Sequence, residues 1–227
     1  MSKRFLSVIA VIIVVFVGVL LLTNHSNPSA SGTLTEHKEG LGKTGVTLVE
    51  YGDFQCPYCG QYYPIVSQVV QKYYNQITFQ FRNFPLTSIH PNAFAGARAA
   101  EAAGLLGKYW QMHNLLYETN IEYYNSNATA NSWISSSDPL TYFDQFAKQL
   151  GLNVTKFNQA YNSAKVNNLI EADMAEGNKL GVNATPTFFL DGKQIVPNET
   201  LASFEKYINA AIAQKTKTAT SATTTKS

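Results

Sequence analysis

Cysteine is scarce in this chain: Cys56 and Cys59 are the only two among its 227 residues. Two cysteines cannot form the several disulfides that stabilise small secreted domains, and a pair this close in sequence cannot join distant parts of a fold. The Cys-x-x-Cys spacing is typical either of a redox-active disulfide or of half a metal site. Any sulfur chemistry of the protein must therefore occur at this pair.

Histidine is also scarce, and this bears on the metal alternative. A structural zinc site takes four ligands, usually two Cys-x-x-Cys pairs or one such pair with suitably spaced histidines. The chain has four histidines, and none of them is at zinc-finger spacing from the cysteines or from another histidine. We therefore expect no metal site, and we interpret His90 and His113 as structural.

Charged residues are few, at 14% of the chain, and the formal net charge is +2. Five of the 17 basic residues lie before the N-terminal apolar run or in the polar C-terminal tail, which leaves 12 against 15 acidic residues, about −3, in between. Because nucleic-acid-binding domains carry clustered basic residues, we expect no nucleic-acid partner. Hydrophobic residues make up 45% of the chain, which is enough for a sizeable core.

The longest apolar run extends from Phe5 to Leu22 and follows Lys3 and Arg4. It approaches the ~20 residues of a membrane-spanning helix and exceeds the apolar core of about 7–15 residues in a signal peptide. We expect a membrane anchor here, with a cleaved signal peptide as the alternative. The basic residues before the run predict that the rest of the chain lies outside the cytoplasm, at the cell surface or in the periplasm.

The hydrophobic pattern predicts an α/β fold. A β-branched strand at Val46–Tyr51, a helix at Pro57–Tyr74 and an alternating strand at Ile77–Phe84 form a βαβ unit. A long helical stretch follows, and Asp191-Gly192 then marks a hairpin before a last helix capped by Asn198. The predicted segments are an anchor (1–22), a polar tether with a short strand near Thr33-Leu34 (23–44), the first part of the domain (45–90), a helical insertion (91–181), the second part (182–214) and a disordered tail (215–227).

A redox reading of the cysteine pair has a physical mechanism. Cys56 is predicted at the first turn of a helix, where unpaired N–H groups and the helix dipole lower a thiol pKa to about 3.5–7.5. Cys59, one turn further along, would resolve mixed disulfides formed at Cys56. An exported location suits an oxidising catalyst. A protease nucleophile is disfavoured because the second thiol would trap it, whereas a purely structural short-loop disulfide stays open.

Five motifs carry a family resemblance, and their order along the chain is specific. They are EYGDFQCPYC from Glu50, the helix proline Pro64, FRNFPL from Phe81 with HPNA from His90, AAEAAG from Ala99 with KYW from Lys108 and MH from Met112, and ATPTFFLDG from Ala184. From about Thr44 to Ala211 the chain resembles the exported DsbA-like thiol–disulfide oxidoreductases. The resemblance implies a thioredoxin-like fold, βαβ then ββα, interrupted by an all-helical inserted domain.

The resemblance also implies roles for individual residues. Glu50 is expected to be the buried acid that exchanges protons with Cys59. Thr185 and Pro186 are expected to form a loop in which a cis proline faces the cysteines and binds the client. Pro57 and Tyr58, between the cysteines, complete the expected substrate-binding surface. No cofactor is expected beyond the redox-active disulfide between Cys56 and Cys59.

The implied function is a dithiol oxidase that introduces disulfides into reduced or unfolded exported proteins. A quinone-linked membrane partner of the DsbB or vitamin-K-reductase type is expected to reoxidise it, and we expect a monomer held at the membrane by its N-terminal helix. Two departures keep an isomerase or reductase open: Pro57-Tyr58 replaces the Pro-His of strong oxidants, and Thr185 stands where those enzymes often have valine. A redox-inactive peptide-binding module is a third alternative.

Overall fold

A computed structural model describes residues 32–128 and 131–224. The predicted membrane anchor lies outside these residues. No helix within the described part of the chain is both long enough and apolar enough to cross a membrane.

The described residues form five strands and seven helices in the predicted order. The strands are β1 (Lys38–Glu39), β2 (Val46–Gly52), β3 (Ile77–Asn83), β4 (Thr187–Leu190) and β5 (Lys193–Ile195). The helices are α1 (Pro57–Tyr73), α2 (Ala93–Leu105), α3 (Tyr109–Asn125), α4 (Leu140–Gln149), α5 (Val154–Tyr161), α6 (Ala164–Lys179) and α7 (Leu201–Thr224). The predicted βαβ unit, helical insertion and ββα unit are all present, and they confirm the thioredoxin-like fold class.

The strands form one mixed sheet in the order β1-β3-β2-β4-β5. Strands β2 and β3 are parallel, as their connection through helix α1 requires, whereas the other neighbouring pairs are antiparallel. Strand β2 is central, and its register places Glu50 between Phe81 on β3 and Phe188 on β4. A carboxylic acid therefore lies in the middle of an apolar sheet.

Helices α2 to α6 form the insertion between β3 and β4. Helix α2 is rich in alanine and glycine, so neighbouring elements approach it closely. A side chain at Gly96 would meet the Trp133 ring at 3.1 Å and Phe54 Cβ at 3.2 Å. The insertion is thereby packed against the loop that leads to Cys56.

The hairpin of β4 and β5 turns at Asp191 and Gly192, which have φ angles of 48° and 79°. Both residues lie in the left-handed region, which aspartate tolerates and glycine adopts freely, as a two-residue hairpin turn requires. The predicted hairpin is confirmed.

The edge strand β1 corrects the sequence prediction. The sequence suggested a short strand near Thr33-Leu34, whereas the strand lies at Lys38–Glu39 and pairs with Gln80 and Phe79. Its two residues have no strand pattern of their own, because their pairing with β3 determines their conformation.

The C-terminal helix differs from its prediction at both ends. Thr200, rather than Asn198, caps it, since the Thr200 hydroxyl accepts a hydrogen bond from Ser203 N at 3.3 Å. The helix continues to Thr224 through residues predicted to form a disordered tail. Thr216 donates its hydroxyl to Ile212 O at 3.0 Å, and Lys215 lies 3.4 Å from Asp191 on the hairpin. These local contacts support a helical continuation that composition alone does not reveal.

Candidate active site

Cys56 lies at the N-terminus of helix α1. Its backbone is extended (φ −67°, ψ 125°), and Pro57 follows at the first helical position, where its missing N–H costs no hydrogen bond. The Cys56 carbonyl oxygen accepts hydrogen bonds from Gly60 N at 3.2 Å and from Asn120 Nδ2 at 3.2 Å. Cys56 is therefore the residue at the helix N-terminus, as the sequence predicted, and the Cys59 backbone N–H helps to lower its pKa.

This environment favours the Cys56 thiolate. A hydrogen bond with Cys59 is the main factor that lowers the Cys56 pKa to about 6, with further help from Thr185 and from the Cys59 backbone, while burial opposes it. The Cys56 Sγ also lies 3.4 Å from the Thr185 carbonyl oxygen, to which the thiol form donates. A thiol with this pKa is largely ionised at neutral pH, which is what a nucleophile requires.

Cys59 has the opposite character. Its side chain is fully buried, and burial raises its pKa well above the ordinary value, with further contributions from the hydrogen bond to Cys56 and from the Cys56 charge. Both cysteines are free in the structure. One cysteine is thus prepared for attack and the other is held as a protonated thiol beside it.

Glu50 lies on the central strand β2, near enough to the pair for its charge to raise the Cys59 pKa. Its side chain is buried, and burial, with a smaller contribution from the Cys56 charge, raises its pKa to about 8. It lines a cavity of about 30 Å³ together with Tyr117 and His113, whose Oη and Nε2 atoms are buried without hydrogen-bond partners. A cavity of this size with several polar atoms has room for a water molecule. Glu50 is therefore a neutral acid at pH 7, in a small polar pocket.

The predicted loop of Thr185 and Pro186 faces Cys56. The Thr185-Pro186 peptide bond is cis, and the Thr185 carbonyl oxygen is the atom that contacts the sulfur. Tyr58, by contrast, has 60% of its surface exposed beside the pair. The structure thus brings Thr185, Pro186, Pro57 and Tyr58 together around Cys56.

Asp53 and His90 contact each other near the pair, and neither was among the predicted site residues. Asp53, three residues before Cys56, is buried, and its Oδ2 lies 2.7 Å from His90 Nδ1. The same carboxylate accepts hydrogen bonds from Gln55 N at 2.8 Å and Leu86 N at 2.9 Å. Asp53 and His90 are 37 positions apart in the sequence, so no local pattern indicated the contact, although both lie in motifs that carry the family resemblance.

Asn120 on helix α3 is a further residue near the cysteine pair that the sequence did not indicate. Its buried amide donates to Phe54 O at 2.9 Å and to Cys56 O at 3.2 Å. Among the described residues, no three His, Cys, Asp or Glu side chains are grouped so that they could hold a metal ion.

A family model described as Thioredoxin matches residues 33–210. The chain belongs to the thioredoxin family. It is 36% identical over 159 residues to Na(+)/H(+) antiporter NhaA 1 of Salinispora arenicola, and 32% identical over 163 residues to the antiporter of the same name in Mycolicibacterium gilvum. Each match covers 70% of this chain but only 22% and 24% of the respective antiporter. The chain thus spans about a quarter of the length of these curated relatives.

Solved structures of other thioredoxin-fold proteins share the architecture. BdbD of Bacillus subtilis superposes with a TM-score of 0.65 at 20% identity and covers 81% of this chain and 97% of its own. Alpha-DsbA1 of Wolbachia pipientis superposes with a TM-score of 0.63 at 21% identity, and the match covers 84% of this chain and 98% of alpha-DsbA1. MdbA of Actinomyces oris, a thiol-disulfide oxidoreductase, superposes with a TM-score of 0.61 at 16% identity, and the match covers 76% of this chain and 86% of MdbA. At these identities the likeness concerns the fold, and it confirms the predicted DsbA-type architecture of this thioredoxin-family chain.

Proposed function

We propose that this thioredoxin-family protein is an extracytoplasmic dithiol oxidase that introduces disulfides into exported proteins through Cys56 and Cys59. The observation that carries the proposal is the asymmetry of the pair: Cys56 has a pKa of about 6 at a helix N-terminus, and Cys59 is a fully buried thiol of raised pKa. The family, and the fold shared with the thiol-disulfide oxidoreductase MdbA, support an oxidoreductase.

The catalytic cycle begins with the Cys56–Cys59 disulfide. A client thiolate attacks the Cys56 sulfur, the Cys56–Cys59 bond breaks, and Cys59 leaves as a thiolate that takes a proton. A second client thiol loses its proton and attacks the client sulfur of the mixed disulfide, which releases Cys56 as a thiolate. The client has lost two electrons and the enzyme has gained them. A low Cys56 pKa favours this last step because it makes Cys56 a good leaving group.

Glu50 is the proposed proton donor to Cys59. It is protonated at neutral pH, since its pKa is raised to about 8, and it lies in the same buried region. The thiolate of Cys59 is costly in this apolar environment, so a neutral acid nearby lowers the barrier to its departure. The cavity beside Glu50 provides space for a water molecule in this proton exchange.

The client is proposed to bind across Thr185 and Pro186. The backbone at Thr185 is beside the Cys56 sulfur, where an extended client segment can pair with it as an added strand. Backbone pairing depends little on client side chains, which suits a catalyst with many clients. The exposed Tyr58 ring and Pro57 add an apolar contact surface.

A quinone-linked membrane partner is proposed to return the pair to the disulfide form by accepting its two electrons. Anchoring through residues 1–22 and the monomeric state stay predictions. The cation exchange named in the antiporter relatives is not proposed for this chain, because the matched region is at most 24% of each compared antiporter.

Oxidative refolding of a reduced client tests the proposal. The wild-type protein in its disulfide form is expected to restore client activity, and Cys56→Ser is expected to abolish that gain. Cys59→Ser cannot form the Cys56–Cys59 disulfide and is therefore expected not to oxidise the reduced client either. With a disulfide-bonded client, its Cys56 thiolate is expected to form a mixed disulfide by exchange, and this species should accumulate because Cys59 is not there to resolve it.

Two outcomes would contradict the oxidase assignment. If Cys56→Ser refolds the client as fast as the wild type, only a peptide-binding role is left. If the wild-type protein rescues a scrambled client but does not oxidise a reduced one, the isomerase alternative is correct.

A further inference from the structure

A buried carboxylate next to a nucleophilic thiol requires an explanation. Asp53 has 1% of its surface exposed, and its backbone carbonyl oxygen accepts the Cys56 N–H at 3.1 Å. A negative charge at this position disfavours a second negative charge on sulfur, and Asp53 does raise the Cys56 pKa. The site would therefore favour the thiolate more strongly if the Asp53 charge were neutralised.

His90 is placed to provide that neutralisation. Its Nδ1 lies 2.7 Å from Asp53 Oδ2, and 14% of its side-chain surface is exposed, so the ring can exchange its proton with solvent. The hydrogen bond to Asp53 is the main factor that raises the His90 pKa, and the charges of Asp53 and Cys56 raise it further, while burial opposes them. The thiolate and the imidazolium thus stabilise each other.

We propose that His90, held by Asp53, is a positioning residue for Cys56: its imidazolium neutralises the Asp53 carboxylate beside the sulfur and so favours the Cys56 thiolate. The pair also fixes the loop before helix α1, since Asp53 accepts hydrogen bonds from Gln55 N and Leu86 N as well. The proposal rests on the proposed function only for the role of Cys56 as nucleophile.

The stability of the Cys56 thiolate depends on pH through the charge of His90. Below the His90 pKa the imidazolium is present and the thiolate is stabilised. As the pH rises through the His90 pKa the ring loses its proton, and the Asp53 charge then opposes the thiolate. Other ionisable groups are coupled to this cluster. Cys59 hydrogen-bonds to Cys56, and the Cys56 charge raises the Glu50 pKa. Burial raises the pKa values of Tyr117 and Tyr124, and the charges of Asp53 and Cys56 raise them further. The titrations of His90 and Cys56 are coupled, so each measured pKa describes these two groups together rather than either residue alone.

The first test is the Cys56 pKa in the reduced full-length protein, measured by thiolate absorbance in the wild type and in His90→Gln. Cys59 does not interfere, because its own pKa is raised well above the ordinary thiol value. We expect the Cys56 pKa to rise by about 0.5–1 unit in His90→Gln, because a neutral amide replaces a nearby positive charge. An unchanged Cys56 pKa would overturn the proposal.

His37→Gln is the matched control. His37 also lies 2.9 Å from a buried carboxylate, that of Glu101, and has a similar side-chain exposure of 19%. It lies on the segment before β1 and is not among the groups that shift the Cys56 pKa, so that pKa is expected to stay at its wild-type value. An equal rise in both variants would contradict a specific role for His90.

The second test uses no variant at residue 90, so it holds even if His90→Gln does not fold. Because ionic coupling is reciprocal, the His90 pKa, measured by NMR of its ring protons, is expected to be higher in the reduced form than in the disulfide form. Equal values in the two forms would show that His90 acts on the loop alone and would overturn the proposal. Client oxidation is scored separately, so a protein that shows this coupling but oxidises no client contradicts only the proposed function.

Discussion

At the scale of single residues, the proposed chemistry depends on two groups that the fold holds in unusual ionisation states. Cys56 is largely a thiolate at pH 7, because hydrogen bonds lower its pKa to about 6, whereas burial raises the Glu50 pKa to about 8 and keeps that acid neutral. The site therefore combines an ionised nucleophile with a protonated acid under the same conditions. The protonated acid serves the proposed departure of Cys59, and the stabilised thiolate serves the later release of Cys56 from the mixed disulfide.

Glu50→Gln should change stability in a pH-dependent way. The Glu50 pKa rises from 4.5 to about 8 on folding, so the stability of the wild type falls as the pH rises through this window. By linkage, the stability of Glu50→Gln relative to the wild type should increase by about 3 kcal/mol between pH 4 and pH 7. Denaturant unfolding of the reduced proteins at both pH values measures this difference. The same variant should oxidise a client more slowly.

Glu118→Gln on helix α3 is the control for this prediction. Its side chain is exposed, so the stability difference from the wild type should not depend on pH in the same range. If Glu50→Gln behaves like Glu118→Gln, Glu50 ionises freely in the folded protein and is not the proton donor proposed here.

At the scale of elements, one buried side chain joins three parts of the fold. Asp173 on helix α6 lies 3.1 Å from Arg82 Nη1 on strand β3 and accepts the backbone N–H of Asn83 at 3.0 Å. It also accepts the N–H and the hydroxyl of Thr35, at 3.1 Å and 2.6 Å, in the segment before β1. The sheet, the helical insertion and the N-terminal segment therefore meet at one carboxylate.

Asp173→Asn should destabilise the protein strongly. The substitution leaves the buried Arg82 charge without its partner, and breaking a buried ion pair in this way costs about 3–5 kcal/mol. Urea unfolding monitored by circular dichroism measures the loss. Lys72→Met, which removes an exposed ion pair with Glu205, is the control and should unfold close to the wild type. Near-equal unfolding midpoints for the two variants would contradict the joining role of Asp173.

At the scale of the whole molecule, the sequence predicted the order of the strands and helices, because each type has its own spacing of hydrophobic residues along the chain. The hairpin at Asp191-Gly192 and the helix that begins at Pro57 are local signals, and the structure has both. The sequence did not predict strand β1, because its pairing with β3 determines it, nor the continuation of α7 beyond Gln214, because composition does not show the contacts that support it.

The residues of the candidate site also fall into those that the sequence identified and those that only the fold reveals. Cys56 and Cys59 were identified from their spacing, whereas Glu50, Thr185 and Pro186 depended on the family resemblance. The contact of Asp53 with His90 depends on a fold that brings residues 37 positions apart within 2.7 Å, so no local pattern could indicate it. Residues that act through tertiary contacts are visible only once the fold is known.

The reduction potential of the Cys56–Cys59 pair tests the central claim most directly. It is measured by equilibrating the full-length protein with defined ratios of reduced and oxidised glutathione. The site stabilises the Cys56 thiolate, which exists only in the reduced form of the pair. The reduced form is therefore favoured, and we expect an oxidising potential, between about −230 and −120 mV. A value near or below about −270 mV, as in thioredoxin, would contradict the oxidase assignment.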